Sequence, residues 1–175
     1  MKNGIALDIG CGSGKYTYWF ESTGITCIGL DSSTKALEKA SVLRINWVCA
    51  SATALPFRAN LFKTVLIINL LHHFKDIHYH VVLNEMQKTL KQDGWLILDL
   101  KNSLNIMLAT IYRITNSPFC PMISRHIFNL NKKLSLYDFS LFRIVVIPYS
   151  IPLPNVLKYL APKLLLIYRR IPYNQ

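Results

Sequence analysis

A glycine-rich turn directly after a short apolar run constrains the fold of this chain more than any other feature. Residues 7–14 read Leu-Asp-Ile-Gly-Cys-Gly-Ser-Gly, and a helical pattern follows them. A strand that passes through such a turn into a helix brings backbone N–H groups close to a ligand. The glycines are spaced G-x-G-x-G, whereas the dinucleotide pattern G-x-G-x-x-G requires glycine where Lys15 stands. The spacing therefore disfavours a nicotinamide dinucleotide.

Two carboxylates accompany this turn. Asp8 lies in the apolar run before the glycines, and Asp31 ends the next apolar run. A carboxylate at the end of a second strand can accept both hydroxyls of a ribose. The negative charge of Asp8 suits a cationic nucleoside better than a pyrophosphate. Asp31 alone is also explained as a helix N-cap, but beside the glycine turn we interpret it as part of a ligand site.

Alternating apolar runs and helical patterns predict a parallel sheet built from β-α-β units. Up to residue 101 we predict strands over 5–9, 26–30, 45–48, 64–70 and 95–100, and helices over 15–22, from Ser32 or Ser33 to 42, and over 77–90. Beyond it we predict a helix over 104–114, irregular structure over 115–134, where Pro118 and Pro121 occur, a short helix over 136–141 after Ser135, and strands over 142–147 and 164–168.

Length and charge indicate how the chain is organised. A chain of 175 residues, 51% of them hydrophobic, is suited to a single domain over 1–175 with a real core. Residues 1–100 carry a net charge of +2, and residues 101–175 carry +9. We expect 1–100 to be the cofactor half and 101–175 to be a basic, apolar acceptor side. A basic surface attracts phosphates. The excess of positive charge is equally explained by a solvated face that has no binding role.

The beginning of the chain predicts its location. Residues 1–8 contain no signal-peptide core, and no apolar run reaches the roughly 18 residues that would span a bilayer. We expect a cytoplasmic protein, with peripheral membrane contact through the basic half.

Five motifs in order resemble the class I S-adenosylmethionine (SAM)-dependent methyltransferases, of the type 11 kind. They are the glycine turn at 7–14, Gly-Leu-Asp-Ser-Ser at 29–33, Ala-Ser-Ala-Thr-Ala-Leu-Pro-Phe at 50–57, the strand and loop at 64–74 that ends Asn-Leu-Leu-His-His-Phe, and Leu-Lys-Gln-Asp-Gly-Trp at 90–95. The resemblance implies a doubly wound, Rossmann-like α/β sheet of seven strands in the order 3-2-1-4-5-7-6, with the last strand antiparallel. The family usually has lid helices before its first strand, but here strand one begins within about five residues of Met1, so we expect that the lid is absent or that the chain is a fragment.

The same resemblance implies a cofactor site for SAM, with S-adenosylhomocysteine (SAH) as product and no metal. Asp31 matches the ribose-binding residue, and the backbone carbonyl of Asn69 matches the group that meets the cofactor's amino group. Ser51 stands where the family usually has Asp at the adenine. The expected cofactor residues are Asp8, Gly10, Cys11, Gly12, Asp31, Ser32, Ser51, Ala52, Asn69 and Leu70.

Two histidines lie in the loop after strand four. His73 is the candidate general base, because an unperturbed imidazole titrates near pH 6.5 or so, whereas we expect His72 to pack the helix start. We do not expect a metal site at the His78-x-His80 pair, which a solvated helix start explains better.

These features predict methyl transfer from SAM to a small-molecule or lipid-like acceptor, including an anionic one. The acceptor would bind between the loop after strand four and residues 99–135. One alternative is an RNA methyltransferase, acting on tRNA for example, although no added RNA-binding module is visible. Another is an inactive SAM-binding partner subunit, which Ser51 and the missing lid favour. Oligomeric state is not predicted.

Overall fold

A seven-stranded sheet forms the centre of the fold. The computed structural model describes residues 4–74, 76–101, 114, 127–147 and 163–171. The strands are β1 (Ala6–Ile9), β2 (Cys27–Asp31), β3 (Asn46–Cys49), β4 (Phe62–Ile67), β5 (Leu90–Lys101), β6 (Phe139–Ile147) and β7 (Lys163–Arg170). They pair in the order β3-β2-β1-β4-β5-β7-β6.

Strand direction divides the sheet into two parts. β1 lies between β2 and β4 and pairs in parallel with both, while β3 and β5 extend the parallel part on either side. β7 lies between β5 and β6 and is antiparallel to both. The predicted seven-stranded order and its antiparallel last strand are therefore confirmed.

Helices cover both faces of this sheet. They are α1 (Lys15–Ser22), α2 (Thr34–Ser41), α3 (Asp76–Thr89) and α4 (Ile127–Ser135). Phe20 of α1 packs with Ala6 of β1 in a small core cluster. The adjacent Leu7 belongs to a larger cluster that contains buried residues of α3 and α4. Because successive residues of a strand point to opposite faces, the two clusters lie on opposite sides of the sheet.

The start of α2 agrees with its predicted cap. The hydroxyl of Ser33 accepts a hydrogen bond from the backbone N–H of Ala36 at 3.2 Å. This bond satisfies one of the donors that the first turn of a helix leaves unpaired. The chain therefore turns from β2 into α2 within two residues of Asp31.

The helix before β6 lies elsewhere than predicted. The sequence indicated irregular structure up to 134 and a short helix over 136–141, but α4 occupies Ile127–Ser135 and β6 begins at Phe139. Leu130 and Leu134 are buried against the sheet, whereas Leu136 is 74% exposed. Burial of one helical face against β6 and β7 therefore decides the position of α4. The helix predicted over 104–114 lies outside the described residues, apart from Ile114.

Strand β4 ends earlier than predicted. The sequence indicated a strand up to Leu70, but β4 ends at Ile67. Asn69 has a φ of 56°, which is a left-handed conformation that cannot continue a strand. The apolar run therefore supplies a strand followed by a tight turn, and Asn69 lies in that turn.

Replacing Leu134 tests the position of α4. Its side chain is completely buried, so Leu134→Ala should leave a cavity and lower the free energy of unfolding by about 2–5 kcal/mol. The exposed Leu136 provides the control, because Leu136→Ala should change stability by less than about 0.5 kcal/mol. Urea unfolding followed by circular dichroism measures both variants. A larger loss for Leu136→Ala would support the helix over 136–141 instead.

Candidate functional site

The candidate site lies at the carboxyl ends of the parallel strands, where open α/β sheets bind ligands. β1 ends at Ile9, and the glycine turn leads from there into α1. The N–H groups of Gly10 and Cys11 both donate to the carbonyl of Leu30, at 2.7 and 3.0 Å. The end of β2 therefore holds the first half of the glycine turn in place.

At two positions of this turn the structure explains why the residue is glycine. Gly12 has a φ of 55°, and a Cβ placed on it would find no heavy atom within 4 Å. Gly10 has a φ of 75°, and its Cβ would lie 2.8 Å from Cδ2 of Leu70. Gly12 therefore borders open space that a ligand can enter, whereas Gly10 lets the loop after β4 approach the turn closely.

Asp31 connects the glycine turn to α2. Its Oδ2 accepts the N–H of Gly12 at 2.9 Å, and its Oδ1 accepts the N–H of Ser33, also at 2.9 Å. A carboxylate oxygen has two lone pairs, so each oxygen keeps capacity for a further donor. The side chain is half-buried at the end of β2. It is therefore held in a fixed orientation while it can still accept ligand hydroxyls.

Asp8 lies beneath the turn and is 1% exposed. Its Oδ2 accepts a hydrogen bond from the hydroxyl of Thr17 on α1 at 2.8 Å. Burial raises the pKa of Asp8 to about 6, although the bond from Thr17 opposes this rise and the charge of Asp31 adds to it. Sequence reasoning missed Thr17, whose signal is a hydroxyl on the buried face of the helix that follows the glycines.

The segment after β3 comes next to Asp31. Asp31 and Cys49 are register partners, and the N–H of Ala50 donates to the carbonyl of Asp31 at 3.1 Å. Ser51 is exposed, with its hydroxyl 2.7 Å from that of Thr53, and Ala52 is buried. The predicted ribose and adenine segments are therefore adjacent along the edge of the sheet.

The loop after β4 completes the site. Leu70 lies against Gly10, and the N–H of His73 donates to the carbonyl of Leu70 at 2.9 Å. Residues Leu71–His73 form a single 3₁₀ turn, in which the side chain of His73 is exposed. The side chain of His72 and residues 102–113 and 115–126 lie outside the described part of the chain.

The structure therefore brings the predicted cofactor segments to one edge of the sheet. Gly10, Cys11 and Gly12 form the turn after β1, Asp31 ends β2, and Ser32 follows it. The individual roles of these residues, of Ser51, Ala52, Asn69 and Leu70, and of His73 as a base, stay predictions.

Neither a metal cluster nor a membrane-spanning helix occurs within the described ranges. No three His, Cys, Asp or Glu side chains converge there in a way that could hold a metal ion. His80 instead places Nδ1 3.1 Å from the hydroxyl of Tyr137. No helix in that part of the chain is long and apolar enough to cross a bilayer.

Comparison with known proteins identifies the family. The family model described as "Methyltransferase domain" matches residues 7–98, which is more than half of the chain. The chain therefore belongs to the class I SAM-dependent methyltransferase family, as its five motifs predicted, and SAM is the cofactor of that family.

Three curated relatives are similar to large parts of the chain. An uncharacterized protein of Methanocaldococcus jannaschii is 31% identical over 94% of this chain and 66% of its own length. The ubiquinone biosynthesis O-methyltransferase of Pelagibacter ubique is 30% identical over 58% and 44%. The demethylmenaquinone methyltransferase of Mycolicibacterium paratuberculosis is 27% identical over 68% and 51%. The chain thus spans between 44% and 66% of the length of these relatives.

Solved structures show the same fold at low sequence identity. A SAM-dependent methyltransferase of Methanosarcina mazei superposes with a TM-score of 0.77 at 17% identity, covering 98% of this chain and 94% of that one. A protein of Pyrococcus horikoshii superposes with a TM-score of 0.75 at 18% identity, covering 97% and 82%. These likenesses support the order and the packing of the sheet.

The pKa of Asp8 predicts how stability depends on pH. Burial raises this pKa from an ordinary value near 3.8 to about 6, so the folded state binds the proton more tightly than the unfolded state. The contribution of Asp8 to stability is then fully present below about pH 4 and is lost as the pH rises to about 6 and beyond. Asp8→Asn has no charge to bury, so its stability relative to the wild type should rise by about 2.5 kcal/mol between pH 4 and 7.5.

Urea unfolding at these two pH values checks this prediction. Thr17→Val is the matched variant, because it removes the hydrogen bond that lowers the pKa of Asp8 and should make the loss of stability between the two pH values larger. A difference between Asp8→Asn and the wild type that stays constant with pH would contradict the raised pKa.

Proposed function

We propose that this chain transfers a methyl group from SAM to a small-molecule or lipid-like acceptor. The observation that carries the proposal is the arrangement of Asp31, which accepts two backbone N–H groups beside an open glycine turn. This is a fixed carboxylate in front of unfilled space, which suits the hydroxyls of a ribose. The residues present therefore fit a nucleoside cofactor.

Each segment of the site has a proposed part in holding the cofactor. Asp31 accepts the ribose hydroxyls, and the backbone around Gly12 borders the space in front of the turn. Ser51 and Ala52 face the adenine, where the Ser51 hydroxyl is a weaker acceptor than a carboxylate. The backbone carbonyl of Asn69 accepts a hydrogen bond from the amino group at the amino-acid end of the cofactor. These roles follow the family resemblance, and the adjacency of the segments supports them.

The chain's own contribution to the chemistry is mainly alignment. SAM supplies an activated methyl group, because its leaving group is a neutral thioether. The protein therefore has to orient an acceptor atom in line with that methyl group, which is catalysis by proximity. An oxygen or nitrogen acceptor also has to lose a proton, and His73 in the loop after β4 is the group proposed to take it.

The acceptor class is proposed from charge and from two relatives. Those relatives are a ubiquinone biosynthesis O-methyltransferase and a demethylmenaquinone methyltransferase, which favours a quinone-like acceptor. Residues 101–175 carry a net charge of +9, which favours an anionic acceptor or an anionic surface. A small or lipid-like acceptor is therefore preferred to RNA, and peripheral membrane contact is part of the proposal.

Replacing Asp31 tests the ribose assignment. Asp31→Ala should weaken SAH binding by about 1.5–3 kcal/mol, because the ribose hydroxyls lose a charged acceptor. Since Asp31 also holds the N–H of Gly12, part of this loss comes from a looser turn. Isothermal titration with adenosine and 2′,3′-dideoxyadenosine separates the two effects. Asp31→Ala should lower the affinity for the dideoxy ligand much less than the affinity for adenosine. Equal losses of affinity for both ligands would contradict ribose binding.

A methyl-transfer screen tests the acceptor class. We expect transfer of radioactive methyl groups into a lipid or metabolite extract rather than into total RNA. If RNA is the acceptor, its affinity should fall with salt at a log–log slope of about −0.7 per phosphate contact. If the acceptor is in a membrane, binding should require anionic vesicles and gain about 1 kcal/mol per nearby basic residue. SAM binding without transfer into any extract would favour an inactive partner subunit.

A further inference from the structure

The turn after β4 has an unusual backbone conformation for a residue with a side chain. β4 and β5 run side by side until Ile67 pairs with Leu98. β5 then continues, while the chain after β4 turns away and Asn69 takes a φ of 56°. Asn tolerates the left-handed conformation better than other residues that carry a Cβ, but it does not prefer it to extended backbone, so a contact from the neighbouring strand helps to fix the turn.

Asp99 supplies that contact from the neighbouring strand. Its side chain is 7% exposed, and its Oδ1 accepts the backbone N–H of Asn69 at 2.6 Å. A hydrogen bond to an ionised carboxylate is shorter and stronger than one between neutral groups. The carboxylate therefore fixes the direction in which the chain leaves β4.

The residue after this turn reaches the glycine turn. The side chain of Leu70 occupies the space next to Gly10, where a Cβ would lie 2.8 Å from its Cδ2. The carbonyl of Leu70 also accepts the N–H of His73. Any rotation at Asn69 would move Leu70 out of this contact and would shift the 3₁₀ turn that carries His73.

We propose that Asp99 is a positioning residue for the amino-acid end of the cofactor. Its carboxylate holds Asn69 in the left-handed conformation, which directs the Asn69 carbonyl toward the site and keeps Leu70 against the glycine turn. This inference rests on the proposed function, because it assigns Asp99 to the same site. It gives Asp99 no contact with the cofactor or with the reacting atoms.

Two ligands separate a positioning role from a merely structural one. SAH contains the amino-acid end, whereas adenosine contains only the part proposed to bind at Asp31 and Ser51. Asp99→Leu, which removes the acceptor at similar size, should weaken SAH binding by about tenfold or more, because only the fraction of molecules that keep Asn69 in the left-handed conformation can then bind the amino-acid end. Adenosine binding should change by less than about twofold. Isothermal titration measures both affinities.

Three further variants complete the experiment. Asp99→Asn keeps an acceptor oxygen without the charge, so its loss of SAH affinity should be intermediate, and it serves as the test if Asp99→Leu does not fold. Asn69→Gly, added to Asp99→Leu, should restore part of the lost affinity, because glycine adopts the left-handed conformation without strain. Asp138→Asn is the matched control, since Asp138 also has a positive φ and accepts a side-chain hydrogen bond, from Gln87, in the turn before β6.

The outcomes distinguish this inference from the proposed function. Unchanged SAH affinity in Asp99→Leu, or equal losses for SAH and adenosine, would overturn the positioning role while leaving the proposed function intact. A wild-type chain that binds no SAH would overturn both. The positioning role is supported if Asp99→Leu loses affinity for SAH but not for adenosine, if adding Asn69→Gly restores part of that affinity, and if Asp138→Asn has no effect.

Discussion

The arrangement of the glycine turn relative to β2 and α2 depends on the carboxylate of Asp31. One side chain accepts the N–H of Gly12 through Oδ2 and the N–H of Ser33 through Oδ1. It therefore joins the end of β2 to the turn after β1 and to the start of α2. Because both oxygens are already held, a ligand meets an oriented acceptor and little reorganisation is needed on binding.

The parts of the fold that are determined by residues close together along the chain were predictable from the sequence. The helix over Lys15–Ser22 was predicted with both ends correct, because glycines precede it and its pattern is local. Short apolar runs between helical patterns located the ends of the parallel strands within three residues, except that β5 begins at Leu90, five residues before its predicted start. The position of β7 between β5 and β6 came from the family resemblance, since its apolar run resembles those of the other strands.

The parts that depend on distant residues were not predictable. The bond from Thr17 to Asp8 and the bond from Asn69 to Asp99 join groups 9 and 30 residues apart, which only the folded sheet brings together. Prolines at 118 and 121 suggested irregular structure well beyond their own positions, whereas burial of Leu130 and Leu134 against the sheet determines α4. The Asn69 turn was read as strand because its neighbours are apolar.

The insertion of β7 between β5 and β6 has a consequence for synthesis on the ribosome. β5 ends at Lys101 and β7 begins at Lys163, so the outer edge of β5 emerges about sixty residues before its partner. Until then the nascent chain exposes an unpaired strand edge, which is a template for pairing with other chains. Such distant pairings also close slowly, since the loop entropy is lost before the contacts form. The antiparallel end of the sheet therefore needs protection while the chain is being made.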